Sequence, residues 1–178
     1  MRAQAVEPTG VERMFAPGEL IVSTTDVRGI ITYANEAFCR MAAAPEVELL
    51  GRPHNVVRHP DMPRAFFAYV WDVLSTRQEI FAYVKNLALD GTHYWAFAHM
   101  TAAGRPGEPI TGYRSNRRAP SREAVAAVEP LYRQLCEVER SHASSSAALA
   151  ASIEALAGFL DERGMTYDEY VWSITPGA

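Results

Sequence analysis

The sequence has no excess of positive charge: it carries 17 Lys and Arg against 21 Asp and Glu, a net charge of −4. A general basic footprint for nucleic acid is therefore absent. It also lacks an apolar run approaching the roughly 18 to 20 residues needed to cross a bilayer. The segment Met1–Gly10 contains Glu7 and Pro8 without an apolar stretch, so it does not read as a secretion signal. A soluble, cytoplasmic protein is the expectation. The two cysteines, Cys39 and Cys136, stand in no CxxC or Cys/His ligand spacing and read as reduced structural thiols. GxSxG, HExxH, P-loop and Cys/His nucleophile patterns are all missing, so an enzyme is not expected. Gly104-Arg105-Pro106-Gly107 is a turn rather than a phosphate cradle. What remains, 178 residues with 48% hydrophobic and 10% aromatic content, suits an ordinary globular chain of one domain and an appendage.

Local patterns give the order of elements. Residues 1–18 read as a flexible lead or cap, with one helical turn around Val11–Phe15. Leu20–Thr25 and Ile30–Ala34 read as strands joined through Asp26-Val27-Arg28-Gly29, a hairpin turn. Asn35 offers a helix N-cap ahead of Phe38, Met41 and Ala42, Pro45 ends that helix, and Glu46–Leu50 supplies a short second one. The run from Pro53 to Pro63 holds three prolines and is irregular. From Pro63 to Arg77 the helical stripe is Phe66, Val70 and Val73/Leu74, with Phe67 and Trp71 beside it. Three strands follow, Glu79–Leu89, Thr92–Thr101 and Pro109–Arg117. In the middle one, Tyr94, Ala96, Ala98 and Met100 alternate with His93, Trp95, Phe97 and His99; one row can line a ligand-holding core and the other receive a helix or second subunit. The fold class is α+β: a five-stranded antiparallel sheet with short helices on one face, spanning residues 19–120, and a helical extension over 121–178. In that extension 121–140 and 147–163 are helical, broken near Ser141-His142-Ala143-Ser144-Ser145-Ser146. Their stripes are Val125, Val128, Tyr132, Leu135 and Leu149, Ile153, Leu156, Leu160. Those stripes need partners, which favours a homodimer, although a hairpin within the chain serves equally.

Asn35-Glu36-Ala37-Phe38, the run Pro53-His54-Asn55-Val56-Val57-Arg58-His59-Pro60-Asp61-Met62-Pro63, Val84-Lys85-Asn86, Asp90-Gly91-Thr92-His93-Tyr94-Trp95 and Gly112-Tyr113-Arg114-Ser115 stand in an order and spacing that resembles the PAS sensor domain of bacterial aerotaxis receptors. The resemblance runs from about Leu20 to Leu135. It implies the five-stranded PAS fold, non-covalent FAD between the sheet and the helices, and signalling through redox state to a downstream partner protein. Carried over residue by residue, it implies cofactor contacts for Asn35, His54, Arg58, His59, Asp61, Trp71, Asn86 and Trp95. Arg58 or His54 is expected near the phosphates or ribose, and His59 and Asp61 are expected to organise the loop. In one place the sequence departs from the family: Ile80 and Ala82 stand where a tryptophan and a glycine are usual. Phe81 or Tyr83 is the expected substitute for that aromatic wall. Two further readings keep the fold: haem bound through His54, His59, His93 or His99, and a ligand-free adaptor using its C-terminal helices.

Overall fold

Turn chemistry between Thr25 and Ile31 fixes the first hairpin. The Asp26 carboxylate accepts from the backbone N–H groups of Arg28 (2.8 Å) and Ile30 (2.9 Å), and Gly29 takes positive φ. In the computed structural model, which describes residues 6–177, this hairpin joins β1 (Ile21–Thr25) to β2 (Ile31–Ala34). Helices α1 (Glu36–Ala42) and α2 (Glu46–Leu49), a 3-10 turn (His54–Val57) and α3 (Arg64–Ser75) follow. The chain then runs through β3 (Ile80–Leu87), β4 (His93–Ala103) and β5 (Gly112–Arg118). The five strands form one antiparallel sheet in the order β2-β1-β5-β4-β3. The fifth strand lies at the centre of the sheet, between the first and the fourth.

Register sorts side chains onto two faces. Ser23 pairs with Ser115, Met100 with Ser115, and Ile80 with Met100, which puts all four on one face. By the same rule Thr25, Tyr113, Arg117, Ala98, Ala82, Val84, Tyr94 and Asn86 share it. This inner face looks toward α1, the 3-10 turn and α3. The outer face carries Phe81, Tyr83, Lys85, Trp95, Phe97 and His99.

The extension has three helices, α4 (Arg122–Arg140), α5 (Ser145–Asp161) and α6 (Tyr167–Ser173). The first and last lie against the outer face, and α5 packs on α4 and α3. Tyr132 of α4 stacks near Trp95, with ring centroids 6.3 Å apart, and its hydroxyl donates to the Tyr83 carbonyl at 2.7 Å. The expected break lies between Arg140 and Ser145, and the Ser144 hydroxyl caps α5 by accepting from Ala147 N–H at 3.1 Å. One expectation changes here. The buried stripe of α5 is Ala148, Ser152 and Leu156, and Ile153 is exposed. Close approach to α4 selects the small residues, and the Ser152 hydroxyl reaches the Leu135 carbonyl. Since α4 and α5 pack on one another within the chain, their stripes no longer call for a second subunit. The last helix, α6, was not expected from the sequence.

Residues 1–5 of the expected N-terminal lead lie outside the described residues. The rest of the lead has no helical turn at Val11–Phe15 and runs extended beside the start of β4 instead. Thr9 N–H donates to Gly91 (2.8 Å), His93 N–H to Val11 (2.9 Å), and Phe15 is buried edge-on against Tyr94. A Cβ on Gly91 would come within 2.5 Å of the Glu7 carbonyl, so this strap requires glycine there.

Asn35 is the joint of the first half. Its Oδ1 accepts from Val22 and Phe38 N–H groups, each at 3.0 Å, and its Nδ2 donates to the Leu20 carbonyl at 2.8 Å. Every polar atom of the side chain is spent on backbone. Asn35→Ala is expected to lower stability by about 2 kcal/mol, the upper range for a lost helix cap. Urea denaturation checks this, and the folded variant should bind ligand as the parent does.

Candidate functional site

Between α3, the 3-10 turn and the inner face of the sheet lies a cavity of about 210 Å³. Its walls include His54, Asn55, Arg58, Phe67, Trp71, Val84, Asn86, Ala98, Met100 and Arg117. A smaller hollow of about 90 Å³ adjoins it across Phe67, Trp71 and Arg117 and reaches Thr25 and Ser115. Phe67 and Trp71 stand one helical turn apart and present aromatic surface to the space. Trp71 is 43% exposed at the mouth and meets Tyr113 edge to face at 5.0 Å.

Polar groups on this inner face are the informative part. Buried side-chain atoms with no partner among the described residues are Thr25 Oγ1, Ser115 Oγ, Asn86 Nδ2, Tyr94 OH and Arg117 Nη1, all on inner-face positions, and His93 Nδ1. Leaving such a group unpaired costs on the order of 1–3 kcal/mol, more when it is charged. Arg117 is 3% exposed and no carboxylate pairs with it among the described residues. Burial pushes its pKa below the ordinary arginine value. Its Nη2 donates to His54 Nε2 at 2.8 Å and to Ser23 Oγ at 3.2 Å. A guanidinium has no acceptor, so His54 carries its proton on Nδ1 and Ser23 donates to Nε2 at 3.0 Å. Burial first, and the Arg117 charge second, push the His54 pKa down to about 3. The imidazole is neutral at physiological pH.

A second, wider cleft of about 660 Å³ opens from the same region and shares Asn55 and Arg58 with the cavity. Arg52, Arg58, His59 and Arg64 line it, with Val56, Leu87 and Leu89 as apolar floor. Arg58 lies over the Phe67 ring at 4.6 Å and donates to the Met62 carbonyl at 2.8 Å, so its direction is set by the Pro-bounded loop.

The expected site residues thus divide. His54, Arg58, Trp71 and Asn86 line the cavity, and His59 lines the wider cleft. Asn35 is spent as a backbone joint. Asp61 points to the outer side, where it pairs with Lys85 Nζ at 2.8 Å and lies 3.4 Å from His59 Nδ1. Trp95 sits on the outer face beneath α4, so it does not face the cavity. Phe81 and Tyr83 also face outward, against α6, and cannot substitute for the missing tryptophan. Ile80 is fully buried, and Phe67 and Trp71 supply the aromatic walls instead. Arg117, Ser115 and Thr25 were not anticipated. The available signal was the polarity of Gly112–Arg118, in a strand that register places at the sheet's centre.

Donors without partners, one of them cationic, between aromatic walls fit a flat ligand with an acceptor-rich edge, which a flavin is. Haem does not fit as well. The His54 Nε2 that faces the space is engaged by Arg117, His59 Nδ1 accepts from Asp61 N–H, and His99 pairs with Glu79. His93, whose Nδ1 has no partner among the described residues, lines neither the cavity nor the hollow. A guanidinium 2.8 Å from the one imidazole that lines the cavity among the described residues disfavours a cationic iron there.

A single five-stranded antiparallel sheet in this order, with short helices and a cavity on one face, defines a PAS-type sensor domain. The family model described as PAS fold matches residues 21–114, more than half of the chain, and the protein belongs to that family. Over 115 residues it is 44% identical to the aerotaxis receptor of Escherichia coli (strain K12), a match covering 65% of this chain and 22% of that protein. It is 30% identical over 105 residues to the nitrogen fixation regulatory protein of Klebsiella pneumoniae, covering 59% of this chain and 21% of that one. The chain thus spans about a fifth of the length of these relatives. Among solved structures, a light-oxygen-voltage domain studied with a flavin analogue superposes with a TM-score of 0.56 at 18% identity, covering 62% of this chain and 84% of that one. That likeness is one of fold.

Proposed function

We propose that this chain is a cytoplasmic FAD-binding sensor module that relays redox or oxygen state to a downstream protein through its C-terminal helices. The observation that carries the reading is the set of unpartnered donors on the inner face, above all the buried, carboxylate-free Arg117. An acceptor-rich ring edge satisfies those that line the cavity and its hollow, on Thr25, Asn86, Ser115 and Arg117. The arginine-lined cleft beyond Asn55 and Arg58 has the size and charge for a pyrophosphate and a second nucleotide, which favours FAD over a mononucleotide. A flavin supplies reversible one- and two-electron reduction. Arg117 and Asn86 are placed to answer the charge that reduction leaves on the ring, by strengthening or giving up hydrogen bonds.

Binding rather than catalysis suits the lining, which contains no carboxylate and no thiol. Cys136 is buried on the outer side, its pKa pushed up to about 11 chiefly by burial, and it donates to the Asp61 carbonyl. No helix among the described residues is long and apolar enough to cross a membrane, in keeping with a cytoplasmic module.

Purified protein is expected to be yellow, with flavin absorption, and to release FAD on denaturation, identified by chromatography against FMN. A colourless protein that also takes up no FAD on refolding would leave the ligand-free adaptor reading in its place.

A further inference from the structure

A pocket of about 180 Å³ lies on the outer side of the sheet, between α4 and the Pro-bounded loop. Its floor is aromatic: the Trp95 and Tyr132 rings are both buried and lie 12° from parallel. Drug-sized ligands occupy about 300–1,000 Å³, so this space suits only a small metabolite. One face of α4 forms the wall, because Glu129, Arg133, Cys136 and Arg140 follow one another at steps of four, three and four residues.

Five charged side chains line the pocket, three cationic and two anionic. Lys85 is the most buried of them, its side chain 11% exposed, and its ammonium pairs with Asp61 at 2.8 Å. The Cys136 thiol donates to the Asp61 carbonyl at 3.2 Å and ties the loop to α4. Asp61 is thereby committed. Glu129 is not: it stands 4.0 Å from the Lys85 ammonium, with its side chain 42% exposed. Arg133 and Arg140 are exposed, one on either side of Cys136, and neither guanidinium has a carboxylate partner among the described residues. A lone surface arginine is satisfied by water. Two that border one aromatic-floored pocket, with a buried ammonium beneath, create a local positive field that a bound anion would answer. Their number calls for two carboxylates, and the loosely held Glu129 calls for one ammonium. The lining carries a net charge of +1. A molecule with two carboxylates and one ammonium carries −1 and balances it.

We infer that the outer pocket is a binding site for a small amino dicarboxylate, an α-amino acid with an anionic side chain. Arg133 and Arg140 take the two carboxylates, Glu129 takes the ammonium, and the alkyl segment lies on Trp95 and Tyr132. No residue of this pocket lines the inner cavity or its hollow, so the site stands whether or not a flavin is bound. It gives the module a second input, a metabolite, on the opposite side of the sheet from the first.

Isothermal titration calorimetry of the full chain with L-aspartate, L-glutamate and succinate tests this. At least one of the two amino acids should bind, and succinate, which lacks the ammonium, should bind roughly ten-fold more weakly. Arg133→Ala and Arg140→Ala, both at exposed positions of α4, should each lower the amino acid's affinity by about ten-fold or more. Glu129→Gln should bring the amino acid down to the level of succinate. Arg105→Ala, in the turn between β4 and β5, should bind as the parent does. Failure of both amino acids to bind overturns the proposal. So does binding that survives both arginine substitutions, or succinate binding as tightly as the amino acid.

Discussion

Arg117→Met is expected to do two opposite things: stabilise the ligand-free protein and weaken its hold on FAD. The guanidinium is buried without a carboxylate, and Nη1 finds no partner. Replacing a buried charge by an apolar side chain of similar length is often neutral or stabilising, by about 1–4 kcal/mol. His54 and Ser23 keep each other as partners when Arg117 is gone. In the loaded protein the same change removes a hydrogen bond from a charged donor. That costs about 1.5–3 kcal/mol, or roughly one to two orders of magnitude in affinity. Urea denaturation of the ligand-free variant and an FAD titration read the two effects separately. A destabilised variant with unaltered FAD affinity would make Arg117 a structural brace and remove the main support for the ligand reading.

Acid should destabilise the protein well before its carboxylates protonate. His54 titrates near its ordinary 6.5 in the unfolded chain but at about 3 in the folded one, because burial and Arg117 oppose its charging. Arg117, Ser23 and Phe38 face the ring, and none of them is anionic. Between those pH values the unfolded chain binds a proton that the folded chain refuses. Stability is therefore complete above about pH 6.5 and falls as pH drops, by up to about 1.4 kcal/mol per pH unit. From pH 7.5 to 5 this amounts to about 2 kcal/mol for His54. His59, lowered to about 4 by burial and then by the Lys85 charge, contributes in the same window and direction. Denaturation curves across that range should show the decline, and His54→Asn should remove about 2 kcal/mol of it. A variant with the parent's full pH slope would contradict the buried neutral imidazole.

The sheet was legible because alternation in β4 and the Asp90-Gly91 break leave little freedom for another arrangement. Alternation says which residues share a face, however, and not which face meets the ligand. Trp95 and Tyr94 could not be assigned until α4 was seen to cover the Trp95 side. Asn35 is a similar case: a cap residue and a ligand-facing amide look alike in sequence, and the backbone of β1 takes the side chain here. Arg117 was missed because a strand rich in arginine reads as solvent-facing, and only the pairing of β5 between β1 and β4 forces one arginine inward. For α6 there was no signal in hydrophobic period, since its helicity comes from tertiary contact rather than propensity.

The Arg122–Glu12 ion pair, 2.6 Å long, ties the N-terminal strap to the first turn of α4. Polypeptide thus enters and leaves the sheet domain at neighbouring points. A unit built this way can be spliced into a longer protein as a cassette without holding its neighbours apart, and whatever is joined at either point shares one mechanical anchor.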